Sequence, residues 1–276
     1  MEIFSTRSAL RQHLTALNNK TVGFVPTMGA LHPGHISLIQ QALQENDVVV
    51  CSIFVNPTQF NDPKDLEVYP RPIAADIAKL SAAGCHILFN PPVTEIYDTD
   101  EHWHLNIGQL EFLLEGEFRP GHYQGVTQVV YKLLDIVQPQ KLYMGQKDYQ
   151  QFMVVARMVE LLKMPVEMVM CPIAREADGL AMSSRNIHLT TDDRKHSLVL
   201  SRTLNWLKTN FDPANIFELE QEAMAMLQSE PGVEPDYIEI ADGKTLLPAD
   251  THSESIVALT AAKVGKTRLI DNVLIR

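Results

Sequence analysis

The chain has 276 residues, of which 45% are hydrophobic and 21% charged, a balance that is typical of a folded globular protein and excludes a wholly disordered one. Its formal net charge of −11 argues against general nucleic-acid binding, which depends on a surplus of lysine and arginine. No run approaches the roughly 18 consecutive apolar residues of a membrane-spanning helix. The residues Met1–Arg7 also lack the pattern of a secretory signal, so we expect a cytoplasmic protein that binds neither nucleic acid nor membrane.

Strand-like and helix-like segments alternate through the first two thirds of the chain. Apolar runs predict strands, and stripes of helical period predict helices. The predicted strands are 22–25, 48–55, 86–89, 141–144 and 166–170. One predicted helix begins at 35, and three more span 74–83, 126–137 and 149–162. This βαβ order predicts an α/β fold with a Rossmann-like, doubly wound parallel sheet, in which ligands bind beyond the carboxyl ends of the strands.

The character of the sequence changes after Asn186, where polar helices precede strand candidates. Helices are predicted at 192–208 and 216–228, followed by a segment at 236–241 and strand candidates at 255–262 and 267–273. We therefore predict a larger Rossmann-like domain at 1–180 that binds the ligands and a smaller C-terminal α+β domain at 181–276 that acts as a lid.

The three cysteines are odd in number, widely spaced and flanked by apolar residues. Cys51, Cys85 and Cys171 fit buried small side chains better than metal ligands or a disulfide framework.

Two histidines follow the first predicted parallel strand, in the segment Thr27–His35, T-M-G-A-L-H-P-G-H. His32 and His35 are three residues apart, and we place both in the first turn of the next helix, on one face. A helix amino end favours an anion, and two imidazoles can add donors to phosphate oxygens. The motif alone would fit a polar surface turn equally well.

Three further segments accompany the histidines. They are Ile53–Phe60 (I-F-V-N-P-T-Q-F), Gly145–Gln151 (G-Q-K-D-Y-Q-Q) and Arg175–Asn186 (R-E-A-D-G-L-A-M-S-S-R-N). With the histidine segment, they make the chain resemble the pantoate–beta-alanine ligase family of the H-I-G-H nucleotidyltransferase superfamily over essentially its whole length. The resemblance implies condensation of pantoate with beta-alanine through pantoyl adenylate, with ATP cleaved to AMP and pyrophosphate. It also implies Mg²⁺ and a homodimer formed through the larger domain.

The resemblance implies catalytic roles for His32, His35, Lys147 and Arg185, which would steady charge on the phosphates and the carboxylate. Ser183 and Ser184 would donate further bonds in a mobile loop, although the same residues would suit a domain linker. The implied ATP-binding residues are Met28, Gly29, Ala30, Leu31, His32, Pro33, Gly34, His35, Gly145, Gln146, Lys147, Asp148, Ala174, Met182, Ser183, Ser184 and Arg185.

Uncharged side chains are the implied partners of pantoate and beta-alanine. These are Gln59, Gln151, Asn56 and Met28. Phe60 and Tyr69 fit either an apolar wall for pantoate or the plain core. Asp76 is the best-matched carboxylate for magnesium, although Ala75 precedes it and makes protein ligation of the metal doubtful. The segment Phe118–Gly125 predicts an ordered loop near the site or at a dimer contact.

Three other functions fit parts of this pattern. An adenylyltransferase of the same superfamily would retain AMP in its product, but it would need a second cationic acceptor pocket. An ATP-sensing protein without turnover would be expected to have lost phosphate-binding residues, which are present here. An aminoacyl-tRNA synthetase is disfavoured by the acidic composition.

Overall fold

The computed structural model describes residues 1–60, 63–99 and 101–276. They form two compact units, the first Met1–Gly145 with Gln151–Cys171 and the second Gln146–Gln150 with Pro172–Arg276. The sequence placed the division at 180/181, whereas these units divide after Cys171. The reason is that the segment after Cys171 is hydrogen-bonded to the C-terminal strand of the second unit. The role of that unit as a lid stays a prediction.

The first unit contains a six-stranded parallel sheet. Its strands are β1 (Glu2–Phe4), β2 (Val22–Thr27), β3 (Val48–Ile53), β4 (Ile87–Phe89), β5 (Lys141–Gly145) and β6 (Glu167–Cys171). Their order is β1-β4-β3-β2-β5-β6. This confirms the predicted α/β fold with a Rossmann-like parallel sheet.

Helices connect these strands. They are α1 (Arg7–Ala16), α2 (Pro33–Glu45), α3 (Pro63–Val68), α4 (Ile73–Ala82), α5 (Val93–Ile96), α6 (Glu115–Phe118), α7 (His122–Val137) and α8 (Tyr149–Leu161). All six residues of β3 are buried, as expected where helices cover both faces of a parallel sheet. Side chains of α2 and α4, including Ile39 and Leu80, pack with β3 in this core.

The strand order reverses between β2 and β5, and the two strands separate there. They pair at Gly23–Lys141 and Phe24–Leu142, so their pairing ends before Val25 although β2 continues to Thr27. On its other side, β2 pairs with β3 along its whole length. Such a reversal opens a crevice at the carboxyl ends of the strands, where open α/β sheets bind ligands.

Several elements differ from the sequence prediction. β1 and α1 were not predicted, because β1 is a short edge strand and only Leu10 of α1 is fully buried. Helix α2 begins at Pro33, whose fixed φ suits the first helical position. The predicted ordered loop at Phe118–Gly125 is wrong in its second half, because residues from His122 onward form the first turn of α7. That turn is buried, so packing determines its conformation.

The second unit is a three-stranded antiparallel sheet covered by two long helices. Its elements are α9 (Thr191–Asn210), α10 (Ile216–Ser229), β7 (Val233–Asp242), β8 (Ile256–Val264) and β9 (Thr267–Leu274). β8 and β9 are joined by a two-residue loop whose first residue, Gly265, has a φ of 57°. The core lies between helices and sheet and includes Leu204, Leu227, Ile240 and Ala258. The predicted α+β character of this region is confirmed.

The three cysteines are buried, as predicted. Burial raises the pKa of the Cys85 thiol to about 11 and that of Cys171 to about 12, and it raises the pKa of Cys51 as well. Within residues 1–60, 63–99 and 101–276, no helix has the length and apolar character needed to span a membrane.

Candidate active site

The loop between β2 and α2 has an unusual backbone that α4 holds in place. Gly29 and Ala30 have φ values of 82° and 50°, a region that side chains with a Cβ rarely adopt. The Asp76 carboxylate accepts the Ala30 N–H and the Leu31 N–H, each at 2.8 Å. The Lys79 ammonium donates to the Leu31 carbonyl at 2.5 Å. One turn of α4 therefore stabilises the segment that precedes the histidines.

The two histidines lie together at the amino end of α2. His32 is the N-cap residue, one position before the helix, and not in the first turn as predicted. Its backbone N–H donates to Nδ1 of His35 at 3.3 Å. The centres of the two imidazole rings are 4.0 Å apart, and the ring planes are inclined at 40°. Because Nδ1 of His35 accepts, a neutral His35 carries its proton on Nε2. The amino end of α2 therefore carries the His35 Nε2–H as a donor in addition to the positive end of the helix dipole.

Asp76 was predicted as a magnesium ligand. It is 1% exposed, and both of its oxygens accept the backbone bonds described above. Among the described residues, no group of three or more His, Cys, Asp or Glu side chains could hold a metal ion. The donor set therefore does not fit a magnesium ion held by the protein, and the contacts of Asp76 are those of a residue that shapes the loop.

A buried polar network follows β3. Asn56 caps the short 3₁₀ turn Pro57–Gln59 and is 1% exposed. Its Oδ1 accepts from the Tyr97 hydroxyl at 2.6 Å and from the Thr58 N–H at 3.4 Å. Its Nδ2 donates to the Gly125 carbonyl and to Oε1 of Gln59, both at 3.1 Å. The polar atoms of Asn56 are therefore engaged within the protein.

Gln59 and Met28, predicted from separate motifs, are in contact. Nε2 of Gln59 lies 3.0 Å from Sδ of Met28, so residues that follow β2 and β3 meet at one edge of the sheet. His122 Nδ1 lies 2.9 Å from the Gln59 carbonyl. Phe60 and Tyr69 pack edge to face with ring centres 5.6 Å apart. Apolar and amide groups thus line this part of the first unit.

Gln151, the other glutamine predicted to bind pantoate, also belongs to the first unit. It is half-buried on α8, and its carboxamide has no hydrogen-bond partner in the portions of the chain that the structure describes. Gly145 ends β5, and a Cβ added there would meet no atom within 4 Å. The predicted close approach of backbone and nucleotide at Gly145 stays a prediction.

In the second unit, the turn Gln146–Asp148 is held by the C-terminal strand. The buried Asn272 on β9 donates to the carbonyls of Gln146 and Lys147, at 3.0 and 2.9 Å. Its Oδ1 accepts from Nε2 of Gln146 at 3.1 Å. The half-buried Lys147 ammonium has no ion-pair or hydrogen-bond partner among residues 1–60, 63–99 and 101–276. The backbone of this turn is therefore anchored while its cation is left available.

The predicted phosphate-binding loop follows a small hairpin in the second unit. The Ala174 carbonyl accepts the Met182 N–H at 2.9 Å, which closes the hairpin. The Arg175 guanidinium anchors it by donating to both oxygens of Asp271 on β9, at 2.7 and 2.9 Å. This pair explains why the hairpin belongs to the second unit.

Ser183 and Arg185 come directly after that hairpin. The Ser183 hydroxyl caps a short 3₁₀ helix, Ser184–His188, by accepting the Arg185 N–H at 3.2 Å. Its hydroxyl proton is still able to donate. Arg185 is exposed, and its guanidinium contacts no acid or acceptor in the described part of the chain. The loop therefore presents a planar cation that can bind two phosphate oxygens.

Several residues of these networks were missed by sequence reasoning. Tyr97, Lys79, His122 and Asn272 each act on a motif far from them in the chain. No local pattern marks such residues, because their partners are brought to them by the fold. The one available signal was the Phe118–Gly125 segment, which contains His122 and Gly125.

The chain was compared with protein families and solved structures. A family model for pantoate-beta-alanine ligase matches residues 2–274. Pantothenate synthetase of Porphyromonas gingivalis is 45% identical over 278 residues, covering 99% of each chain. The crystal structure of pantothenate synthetase from Thermus thermophilus is 42% identical with a TM-score of 0.92, covering 100% of this chain and 99% of that one. Pantoate-beta-alanine ligase from Francisella tularensis, complexed with beta-gamma ATP and beta-alanine, is 37% identical with a TM-score of 0.82, covering 100% and 98%. The chain therefore belongs to the pantoate–beta-alanine ligase family.

Proposed function

We propose that this chain condenses pantoate with beta-alanine to pantothenate. In the first step, the pantoate carboxylate attacks the α-phosphorus of ATP and pyrophosphate leaves, which gives pantoyl adenylate. In the second step, the beta-alanine amine attacks the acyl carbon, AMP leaves, and the amine loses a proton. The observation that carries the proposal is the family match over residues 2–274. The Francisella tularensis relative, crystallised with an ATP analogue and beta-alanine, supports it.

His32 and His35 are proposed to bind the phosphates of ATP. The contact between the His32 N–H and His35 Nδ1 assigns the proton of a neutral His35 to Nε2, and this N–H would donate to an oxygen that gains charge as pyrophosphate leaves. The loop residues Met28–Leu31 would pass close to the nucleotide. Gly29 and Ala30, whose φ values are positive, would present backbone to it.

Lys147 and Arg185 are proposed to supply the positive charge that the first step requires. Two anions must meet in that step, and neither cation is neutralised by an acid of the described chain. Lys147 would bridge a phosphate and the pantoate carboxylate, and Arg185 would bind two phosphate oxygens. Asp148 would accept from the ribose hydroxyls, and Gln59 and Gln151 would bind pantoate.

Magnesium enters this proposal as part of the substrate, bound to the ATP phosphates. Magnesium ions commonly keep several waters and use phosphate oxygens in this way. A homodimer formed through the larger domain is likewise proposed from the resemblance, and a cytoplasmic location is proposed from the sequence pattern of residues Met1–Arg7.

Product analysis tests the overall reaction. The protein is incubated with MgATP and pantoate, with and without beta-alanine, and the products are identified by mass spectrometry. We expect pantothenate and AMP to form together only when beta-alanine is present. An AMP-containing product that persists with beta-alanine present would favour the adenylyltransferase, and bound but unconsumed ATP would favour the sensor.

An oxygen-tracing experiment tests the adenylate. Attack by the carboxylate on the α-phosphorus leaves one carboxylate oxygen on AMP after the second step. Pantoate labelled with ¹⁸O in its carboxylate should therefore give AMP with one ¹⁸O atom. Unlabelled AMP would exclude pantoyl adenylate while leaving the overall ligation intact.

A further inference from the structure

The side-chain amide of Asn56 has an orientation that two backbone groups determine. The Thr58 N–H can only donate, so the amide atom that it meets is Oδ1. The Gly125 carbonyl can only accept, so the atom that it meets is Nδ2. Because Asn56 is 1% exposed, water does not offer the amide alternative partners.

This orientation determines which end of Gln59 is free to bind substrate. The second hydrogen on Nδ2 of Asn56 points at Gln59, so the atom it meets at 3.1 Å is Oε1, the acceptor. The opposite atom, Nε2, lies 3.0 Å from the Met28 sulfur. A thioether is a weak acceptor, and Nε2 carries two hydrogens. Gln59 therefore retains donor capacity at Nε2, whereas its oxygen is already engaged.

Tyr97 supports the other side of the Asn56 amide. Its hydroxyl donates to Oδ1 at 2.6 Å, which is shorter than the other bonds of this amide. Burial raises the pKa of Tyr97 to about 12, so the hydroxyl keeps its proton at any physiological pH. Thr58 Oγ1 lies 3.2 Å from the same hydroxyl and also donates to Oδ1 at 3.2 Å.

We propose that Tyr97 is a positioning residue: through Asn56 it holds Gln59 with its amino group as the substrate-recognising end, so that Gln59 selects a hydrogen-bond acceptor of pantoate. The inference rests on the proposed function, since it deepens the role of Gln59 in binding pantoate. It predicts that Nε2 of Gln59, and not Oε1 accepting a hydrogen bond from a pantoate hydroxyl, recognises the substrate.

Tyr97→Phe tests the positioning role. Loss of one hydrogen bond in the network should raise the KM for pantoate by about three- to tenfold, while the KM for ATP and kcat change less than about twofold. The control is Tyr131→Phe, because the Tyr131 hydroxyl has no hydrogen-bond partner in the described residues and its ring packs on Trp103 in the same unit. The pantoate KM of the control should equal that of the wild type.

Two outcomes would overturn the positioning role. In the first, Tyr97→Phe and Tyr131→Phe have the same pantoate KM. In the second, the KM values for pantoate and ATP rise together with a lowered unfolding midpoint, which is the result of a general structural role.

A pair of variants at Gln59 tests the direction of the amide independently of Tyr97. Gln59→Glu replaces the donor by an acceptor, and Gln59→Met of similar length has no donor and only a weak acceptor. If Nε2 recognises substrate, the pantoate KM of Gln59→Glu should exceed that of Gln59→Met. A Gln59→Glu enzyme close to wild type, with Gln59→Met impaired, would show that Gln59 accepts from substrate and overturn the inference.

The same measurements separate this inference from the proposed function. A wild-type protein that forms no pantothenate would overturn both. Wild-type turnover with an unchanged pantoate KM in Gln59→Met would remove Gln59 from the site and overturn the inference, while the overall ligation would stand. A raised pantoate KM in Gln59→Met, without one in Tyr97→Phe, would reject Tyr97 as the positioning residue.

Discussion

Two side chains show how single atoms determine the proposed chemistry. The His32 backbone N–H occupies Nδ1 of His35 and so assigns the proton of neutral His35 to Nε2. The Lys147 ammonium is half-buried without an acidic partner in the described chain, and Asn272 fixes the backbone that carries it. The Lys147 ammonium is therefore preorganised rather than neutralised, which is the condition under which electrostatic stabilisation lowers a barrier.

Removing either group should slow adenylate formation strongly. We expect His35→Ala and Lys147→Ala to lower the rate of pantoate-dependent exchange between pyrophosphate and ATP by about 10²- to 10³-fold, the usual cost of one electrostatic stabiliser. His35→Gln should retain more activity than His35→Ala, because the Gln amino group can replace an Nε2 donor. The exposed His252 provides the control His252→Ala. Wild-type exchange in Lys147→Ala would remove it from the phosphate site.

At the scale of elements, helix α4 and the close approach of helix α7 to the turn after β3 position the proposed site. Helix α4 clamps the loop after β2 through Asp76 and Lys79. Helix α7 approaches the turn after β3 so closely that a Cβ on Gly125 would lie 2.4 Å from the Thr58 carbonyl oxygen. Both contacts join backbone to a distant element, so both should be sensitive to small changes.

The Asp76 clamp can be distinguished from a metal site. Asp76→Asn would place an amino group against the Ala30 or Leu31 N–H. Leaving buried groups unpaired should lower the free energy of unfolding by about 1–3 kcal/mol. The KM for ATP should rise, and the Mg²⁺ dependence of the remaining activity should be unchanged. The control is Asp47→Asn, an exposed carboxylate that also accepts a loop N–H, that of Thr21. Recovery of Asp76→Asn at high Mg²⁺ would instead support metal ligation.

Two glycines should respond oppositely to alanine. Gly125→Ala should lower the free energy of unfolding by about 1–3 kcal/mol, the usual cost of overpacking, because its Cβ would meet backbone. Gly145→Ala should leave that free energy nearly unchanged, since nothing lies within 4 Å, but should raise the KM for ATP. Urea unfolding and initial-rate kinetics measure the two effects. An unchanged ATP affinity in Gly145→Ala would contradict the proposed close approach.

At the scale of the whole molecule, buried thiols link stability to pH. The pKa of Cys85 rises from 9.0 to about 11 and that of Cys171 from 9.0 to about 12, mainly through burial. Above pH 9 the unfolded chain releases these protons while the folded chain keeps them. The stabilisation is therefore complete below about pH 9 and is lost as pH rises toward the folded values.

Alkaline unfolding checks this linkage. The free energy of unfolding, measured in reducing buffer, should fall between about pH 9 and pH 11 with a slope of at most about 1.4 kcal/mol per pH unit for each thiol. Cys85→Ala, compared with wild type at each pH, should reduce that slope. The same slope in both proteins would show that Cys85 does not contribute.

The proposed homodimer is also a property of the whole molecule. Sedimentation velocity at the enzyme concentration used for kinetics should give the mass of two 31.0 kDa chains. A mass of 31 kDa would exclude the dimer without affecting the other proposals.

The sequence by itself determined the parallel sheet, the α+β second region and the motifs, because period, turn residues and residue types are local properties. The contact between Met28 and Gln59 is consistent with strand order, since parallel strands end at one edge of the sheet. Only the tertiary structure decided the hydrogen-bond partners of Asp76, Tyr97 and Asn272. Their partners are many residues away, and whether a polar side chain is available to substrate or already engaged depends on which atoms the fold brings within hydrogen-bond distance.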